Sequence, residues 1–490
     1  MSRHRFLAFD LGAESGRAVL GTLEGKVLSV RELHRFPNGP VTIGGHLHWD
    51  VPALFREIKD GLKICAEQIT ADIESVAVDT WGVDFGLLDG KGHSLGLPFA
   101  YRDLRNVPAM ETFLAKFPKE RIYEITGIQF LPFNSLFQLQ ALSLEDPDLL
   151  AAATDLLFMP DLFNYFLSGS ISNEATIAST SQLLDPRRNE WSPELIGALG
   201  LPPRILHRIV PPGTIVGRLL SSIAAAGSKD LPVIATASHD TASAVAAVPA
   251  LGTNWAYISS GTWSLMGIDV PTPLITPATM RLNFTNEGGL AGRIRFLKNV
   301  SGLWPVQQCR KIWSEDRPLS YDEMIAAAAE APASKTFIDP DCPDFLNPPD
   351  MPEAIRDFCR RTGQIVPSGR GEIVRCVLES LALKYRTVLE ELRQVSPHPI
   401  ETIHVIGGGS RNELLCRFTA EATGLPVVTG PAEATAIGNI MGQALALGLV
   451  RSPEEIRTIV AASTDLKTYE PRDPQAWESA YDRFQGVTCR

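Results

Sequence analysis

A strand that turns through glycine into a second strand occurs twice in this chain, and the repetition limits what it can fold into. Residues 6–9 are apolar and lead into Asp10-Leu11-Gly12-Ala13-Glu14-Ser15-Gly16-Arg17, after which residues 17–22 return as a strand. Residues 255–259 repeat the theme: Ser260-Gly261-Thr262 turns the chain and residues 263–268 lead back. Short apolar runs bounded by glycine read as hairpin strands. Two such hairpins, each heading a stretch of alternating strands and helices, predict two α/β domains related by duplication around a central cleft.

The first hairpin also carries chemistry. Asp10 is a carboxylate at a strand end, suited to a hydrated metal ion. Gly12 and Gly16 lack a Cβ and let backbone N–H groups approach an anion. Arg17 adds a fixed positive charge. Together they suggest a nucleotide triphosphate with magnesium; alone they fit an ordinary hairpin with a capping aspartate equally well. No Gly-Lys-Ser/Thr follows, so this is not a Walker A loop. The strand after Gly16 also excludes a dinucleotide fingerprint, which opens a helix.

The chain has 490 residues, too many for one core. Its 44% hydrophobic and 21% charged content describes a soluble globular protein. A net charge of −11 argues against nucleic acid or an anionic membrane as partner. The seven cysteines include no C-x-x-C pair, so neither zinc nor a disulfide framework is indicated. Cys65, among Leu54, Phe55, Ile58, Leu62 and Ile69, reads as core. Cys359 and Cys376 could meet, although a reducing cytosol disfavours a bridge. The first residues lack a signal-peptide pattern, and no apolar run reaches the ~18 residues of a membrane span. A cytoplasmic monomer or small homo-oligomer is expected.

Strands are predicted at 27–33, 75–79 and 232–237 as well as in the first hairpin, with a helix at 51–69. The strand at 75–79 delivers Asp79-Thr80-Trp81-Gly82-Val83-Asp84-Phe85 at its carboxyl end, where open α/β sheets place ligands. The strand at 232–237 delivers Ser238-His239-Asp240-Thr241 into a helix. In the second half, a helix at 372–395 carries Val374, Val377, Leu378, Leu381, Tyr385, Val388, Leu389 and Leu392 on one stripe. A strand at 402–406 then ends in Gly407-Gly408-Gly409, with a helix at 412–422 after it. Pro249 and Gly252 break the pattern, which predicts domains 1–248 and 249–490.

In this order the pieces resemble the FGGY family of carbohydrate kinases, over about residues 6 to 449. The family's D-x-G-x-x-S-x-R/K hairpin is matched by Asp10, Gly12, Ser15 and Arg17, and its D-x-R segment by Asp103 and Arg105. His239-Asp240 matches the helix start that bears the catalytic aspartate. Ser260 to Trp263 matches the second hairpin. Gly407 to Gly409 with Asn412 resembles the adenosine segment. The P-x-x-K-L-x-W-L motif of many members is replaced here by Pro132-Phe133-Asn134-Ser135-Leu136-Phe137-Gln138-Leu139. That segment, with residues 79–85, Tyr101-Arg102-Asp103 and residues 296–304, looks like the rhamnulokinase branch of the family.

The resemblance implies two duplicated actin-like ATPase (ribonuclease H-like) domains. It also implies transfer of the γ-phosphoryl group of ATP to O1 of L-rhamnulose, with Mg²⁺. Asp240 would be the base that accepts the proton of the sugar hydroxyl; its alternative is a helix N-cap. Asp10 would hold the metal through water. ATP would be bound by Ala13, Glu14, Ser15, Gly16, Arg17, Thr262, Gln307 and Gly408. The sugar would be bound by Gly82, His239, Asp240, Thr241 and Asn299. Glu14 at the hairpin tip would repel triphosphate and is expected to face solvent. Trp81 and Trp304 are either apolar walls for the sugar or core. Other ketoses such as L-fuculose or D-xylulose, or a non-kinase actin-like ATPase, are the competing readings.

Overall fold

The first hairpin extends further than its apolar run, to strands Arg3–Leu11 and Ser15–Glu24, which pair antiparallel without a break from Arg3 opposite Glu24 to Leu11 opposite Gly16. The computed structural model describes residues 2–69, 72–224, 230–314, 317–333 and 335–489. These residues form two compact units. One comprises Met1–Ala247, Asp269–Leu297 and Ala434–Ser463, the other Val248–Ile268, Lys298–Glu433 and Thr464–Arg490.

In the first unit a six-stranded sheet runs in the order Thr214–Arg218, Pro232–Ala235, Ser75–Thr80, Arg3–Leu11, Ser15–Glu24 and Val27–Pro37. The three central strands are parallel and the flanking pairs antiparallel. Parallel strands lie buried on both faces, and Phe6, Leu7, Phe9, Val76, Val78, Val233 and Ile234 are accordingly out of solvent. The helix Val51–Gln68 starts where Asp50 accepts a hydrogen bond from the Ala53 N–H, and it buries Leu54, Ile58, Leu62 and Cys65. The helix Ala434–Ala446, although far along the chain, belongs to this unit. Gln443 donates to the Leu7 carbonyl (3.1 Å) and accepts from the Ser75 hydroxyl (2.7 Å).

In the second unit the strands Trp263–Val270, Trp255–Ser260, Thr402–Ile406, Val427–Thr429 and Lys467–Tyr469 lie side by side in that order. Their pairings run antiparallel, parallel, parallel, antiparallel. Starting from Ser15–Glu24, the first sheet has the same succession, so the duplication read from the hairpins extends to the sheets. The long helix spans Arg370–Val395, and all eight residues of its predicted stripe are buried. It starts at Arg370 rather than Glu372, with Gly369 in the N-cap position.

One cysteine expectation holds and one changes. Cys359 and Cys376 are both free thiols, and a disulfide instead joins Cys342 to Cys489, which are 147 residues apart in sequence. Asp339 holds both ends of that link: its carbonyl accepts from the Cys342 N–H and its carboxylate from the Cys489 N–H, each at 3.0 Å. No C-x-x-C spacing announces a pairing over that distance. Among the described residues, no helix is long and apolar enough to cross a membrane.

Candidate active site

The position of Asp240 is set by the sheet of the first unit. Strand Pro232–Ala235 runs parallel to Ser75–Thr80, and the pairing continues beyond it as the Thr80 N–H donates to the Ser238 carbonyl at 2.9 Å. Glu174 accepts from the Ser238 N–H (3.1 Å), and the Thr176 hydroxyl accepts from the His239 N–H (3.1 Å). Burial pushes the Glu174 carboxyl up to about 7. The next helix, Asp240–Ala246, packs where Gly438 leaves room; a Cβ there would lie 1.7 Å from the Ser243 carbonyl oxygen.

His239, not Asp240, occupies the N-cap position of that helix, and it makes no side-chain cap bond. The capping alternative for Asp240 is therefore replaced by another arrangement. The Thr241 N–H (2.5 Å) and hydroxyl (3.1 Å) donate to Asp240 Oδ1, and His239 Nε2 lies 3.3 Å from the same oxygen. Among the described residues no donor reaches Oδ2. Burial, and next the charge of Asp10, push the Asp240 carboxyl up to about 7. One oxygen is thus tied and the other left to take a proton.

Asp10 and Asp79 are register partners at the ends of adjacent parallel strands, and both are buried. Arg17 forms an ion pair with Asp10 across the hairpin. The hairpin's cation is therefore already engaged, which the sequence does not reveal. Asp79 Oδ2 accepts from the Asn439 amide at 2.6 Å, and its Oδ1 has no partner. Burial, then the charge of Asp10, hold the Asp79 carboxyl well above its usual range, and Asp240 adds to the effect. Three mutually repelling carboxylates with an orphaned oxygen form a field that a divalent cation would relieve. Among the described residues, no group of three or more His, Cys, Asp or Glu could hold a metal ion.

In the hairpin turn, Gly12 N–H donates to the Ser15 carbonyl at 3.0 Å, Ala13 is half-buried and Glu14 is exposed. Gly16 is also needed for packing, since a Cβ would lie 2.1 Å from the Phe36 ring.

Gly82 lies beside the histidine: a Cβ on it would sit 3.2 Å from His239 Nε2. Val83 follows with φ 68°, and the Asp84 N–H donates back to the Gly82 carbonyl at 2.9 Å. This is a γ-turn of the strained hand, costly for a β-branched residue. Asp84 pins it. That buried carboxylate accepts from the Trp49 (2.6 Å) and Trp81 (2.9 Å) indoles, the Gln138 amide (2.8 Å) and the Tyr101 N–H (3.2 Å). Burial still raises it to about 6. Trp81 is therefore core, its ring 4.1 Å from that of Trp49. Trp304 is half-buried, with its indole N–H donating to the Leu346 carbonyl.

In the second unit the remaining predicted residues converge on the second hairpin. Gly302 and Trp304 N–H groups donate to the Thr262 carbonyl (3.1 and 3.2 Å), and the Leu303 N–H donates to the Gly261 carbonyl (2.9 Å). Gly302 permits this approach, as a Cβ would lie 2.6 Å from the Trp263 carbonyl carbon. The helix Trp304–Trp313 starts there and carries Gln307, whose buried Oε1 has no partner. Half-buried Asn299 lies on the strand Ile294–Ser301 that leads into Gly302. The three glycines divide by role. Gly407 has φ 79° and Gly409 packs on Ser260, where a Cβ would lie 2.0 Å from its Oγ. Gly408 is exposed, and a Cβ there would meet nothing within 4 Å. The fold demands glycine at 407 and 409 and is indifferent at 408.

Residues 5–247 match the N-terminal domain of the FGGY family of carbohydrate kinases, and residues 256–447 match its C-terminal domain. The chain belongs to the FGGY family of carbohydrate kinases. Kinases of this family use ATP as substrate. The chain is 50% identical to a protein of Bacteroides thetaiotaomicron named Rhamnulokinase, covering 99% of both. To one of the same name from Pectobacterium carotovorum subsp. carotovorum it is 43% identical, over 100% of this chain and 97% of that one. Among solved structures it resembles the xylulose kinase of Lactobacillus acidophilus (TM-score 0.80, 16% identity, 99% of this chain and 97% of that one). It also resembles the glycerol kinase of Plasmodium falciparum (TM-score 0.78, 14% identity, 99% of each chain). The fold is thus the two-domain sugar-kinase form of the actin-like ATPase fold.

Several side chains here have no motif to announce them. Asn439 reaches Asp79 from a helix 360 residues further on. Arg295 and Glu287 flank His239 from the Ile294–Ser301 and Thr285–Gly288 strands. Their one signal is a pair of opposite charges at register-partner positions, Glu287 opposite Arg295.

Proposed function

We propose that this chain transfers the γ-phosphoryl group of ATP to O1 of L-rhamnulose, giving L-rhamnulose 1-phosphate and ADP. The sugar rests on one observation: half of the residues, over 99% of the length, are shared with a relative named Rhamnulokinase. The chemistry rests on Asp240, whose Oδ2 alone of its two oxygens is left without a donor. In this reading Oδ2 accepts the proton of the attacking hydroxyl, while Thr241 holds Oδ1. Gly82, His239, Thr241 and Asn299 bind the sugar. Ala13, Glu14, Ser15, Gly16 and Arg17 face the phosphates from the first hairpin and Thr262 from the second. Gln307, with its orphaned Oε1, and Gly408, with open space around its Cα, take the nucleotide. Asp10 would hold Mg²⁺ through water, where the ion would supply charge neutralisation for phosphoryl transfer. The enzyme works in the cytoplasm on small molecules, as a monomer or small homo-oligomer, without nucleic acid or membrane.

Purified protein with ATP, magnesium and a panel of L-rhamnulose, L-fuculose and D-xylulose tests this. ADP should form fastest with L-rhamnulose, and the product should carry phosphate at O1. Faster turnover of another ketose would overturn the substrate, and hydrolysis independent of any sugar would overturn the kinase reading.

A further inference from the structure

Arg295 has no exposed surface at all, a rare state for an arginine. Its Nη2 lies 2.9 Å from His239 Nδ1 and 3.1 Å from Glu287 Oε2, and its Nε donates to the Gly288 carbonyl at 2.8 Å. A guanidinium group has donors only and keeps its charge in proteins. An N–H directed at a ring nitrogen at 2.9 Å requires a lone pair there, so His239 Nδ1 accepts. Burial, and next the charge of Arg295, hold the imidazole pKa well below its usual value. The ring is therefore neutral and its single proton sits on Nε2. Glu287 Oε2, at 3.6 Å from Nδ1, is beyond good hydrogen-bond range and has its charge met by the same Nη2.

Nε2 faces the other way. It lies 3.3 Å from Asp240 Oδ1 and 3.2 Å from the point where a side chain on Gly82 would begin. We propose that Arg295 is a positioning residue that fixes His239 as the Nε2–H tautomer, so the ring offers the sugar a hydrogen-bond donor rather than an acceptor. Only the identity of the acceptor rests on the sugar-kinase reading above. The sugar oxygen beside His239 must then present a lone pair, as a carbonyl or ether oxygen always does. An oxygen whose proton must point at the ring is disfavoured. A second consequence concerns Asp240. In the ligand-free protein an Nε2–H 3.3 Å from Oδ1 favours its charge electrostatically, whereas a bare Nε2 would repel it.

The test is the ¹⁵N spectrum of the imidazole nitrogens in the full ligand-free protein, with the His239 signals assigned by their loss in His239→Gln. Near neutral pH, Nε2 should be protonated and Nδ1 bare. In Arg295→Met, Glu287 becomes the one charged neighbour of Nδ1, and the proton should move to Nδ1. Arg295→Lys supplies a donor again and should restore Nε2–H. The KM for the sugar should rise about tenfold or more in Arg295→Met, while the KM for ATP stays within about twofold. A proton on Nδ1 in the unsubstituted protein overturns the proposal, and that measurement needs no variant to fold. An unmoved tautomer in Arg295→Met also overturns it. Because the tautomer is read without sugar or nucleotide, its failure is distinct from a failure to phosphorylate any ketose.

Discussion

Asp240→Asn should destroy catalysis and stabilise the ligand-free protein, and the two effects have separate causes. Asn keeps an Oδ1 acceptor for Thr241 but replaces Oδ2 by an amide that cannot take a proton. Loss of a general base costs about 10²–10⁴-fold in kcat. The stability effect follows from the carboxyl pKa, raised from 3.8 to about 7. Between those values the unfolded chain has already released the proton that the folded protein retains. Stability therefore falls as pH rises through that window, and the penalty is complete above about pH 7. At about 1.4 kcal/mol per unit, three units give an upper bound of about 4 kcal/mol. The side chain keeps 29% of its surface in solvent, so screening should reduce this to about 1–2 kcal/mol. Asn carries no such penalty. Thermal melts without metal or nucleotide should show the variant a few °C more stable at pH 8, with the difference vanishing near pH 4. An equal difference at both pH values would refute the electrostatic account, and a kcat within tenfold of the unsubstituted enzyme would refute the base assignment.

Three further expectations follow from the geometry. Gly408→Ala should leave the melting temperature unchanged while raising the KM for ATP, whereas Gly409→Ala should fail to fold stably, its Cβ falling 2.0 Å from Ser260 Oγ. Similar melting points for the two alanine variants would undo the division of roles among these glycines. Trp81→Phe removes one of four donors to buried Asp84 and should cost about 1–2 kcal/mol in denaturant titrations. A larger fall in sugar affinity than in stability would mean that Trp81 touches substrate after all. Asn439→Leu leaves both Asp79 oxygens without a donor and should destabilise the protein by about 1–3 kcal/mol; unchanged stability would show that the Asn439 bond contributes nothing.

The strands and the long helix were legible because their signals are local: an apolar run of period two, a stripe of period 3.6, a glycine at a turn. Asp240 was legible as a strand-to-helix residue. Its N-cap alternative failed because His239 occupies that position and the Thr241 N–H turns back onto Oδ1. Gly16 carries a second reason that the sequence hides, because the ring that packs on it, Phe36, arrives from a later strand. Arg295, Glu287 and Asn439 were invisible for the same cause. Each acts through a partner brought close only by tertiary folding, and charge or amide chemistry has no periodicity to betray it. The Cys342–Cys489 link is the extreme case, closing a loop that no spacing rule describes.

The helix Ala434–Ala446 has a consequence for how the protein is made. Its Asn439 and Gln443 complete hydrogen bonds to Asp79, Ser75 and Leu7, in strands from the beginning of the chain. A ribosome releases those strands hundreds of residues before it releases the helix. The sheet that carries Asp10 must wait, with its buried polar groups unmatched, until that helix has emerged. Domains usually fold as units while the chain emerges; this one is denied that order. A fragment ending at residue 297 should accordingly remain loosely packed and sensitive to protease, and adding the 434–463 segment as a separate peptide should restore protection.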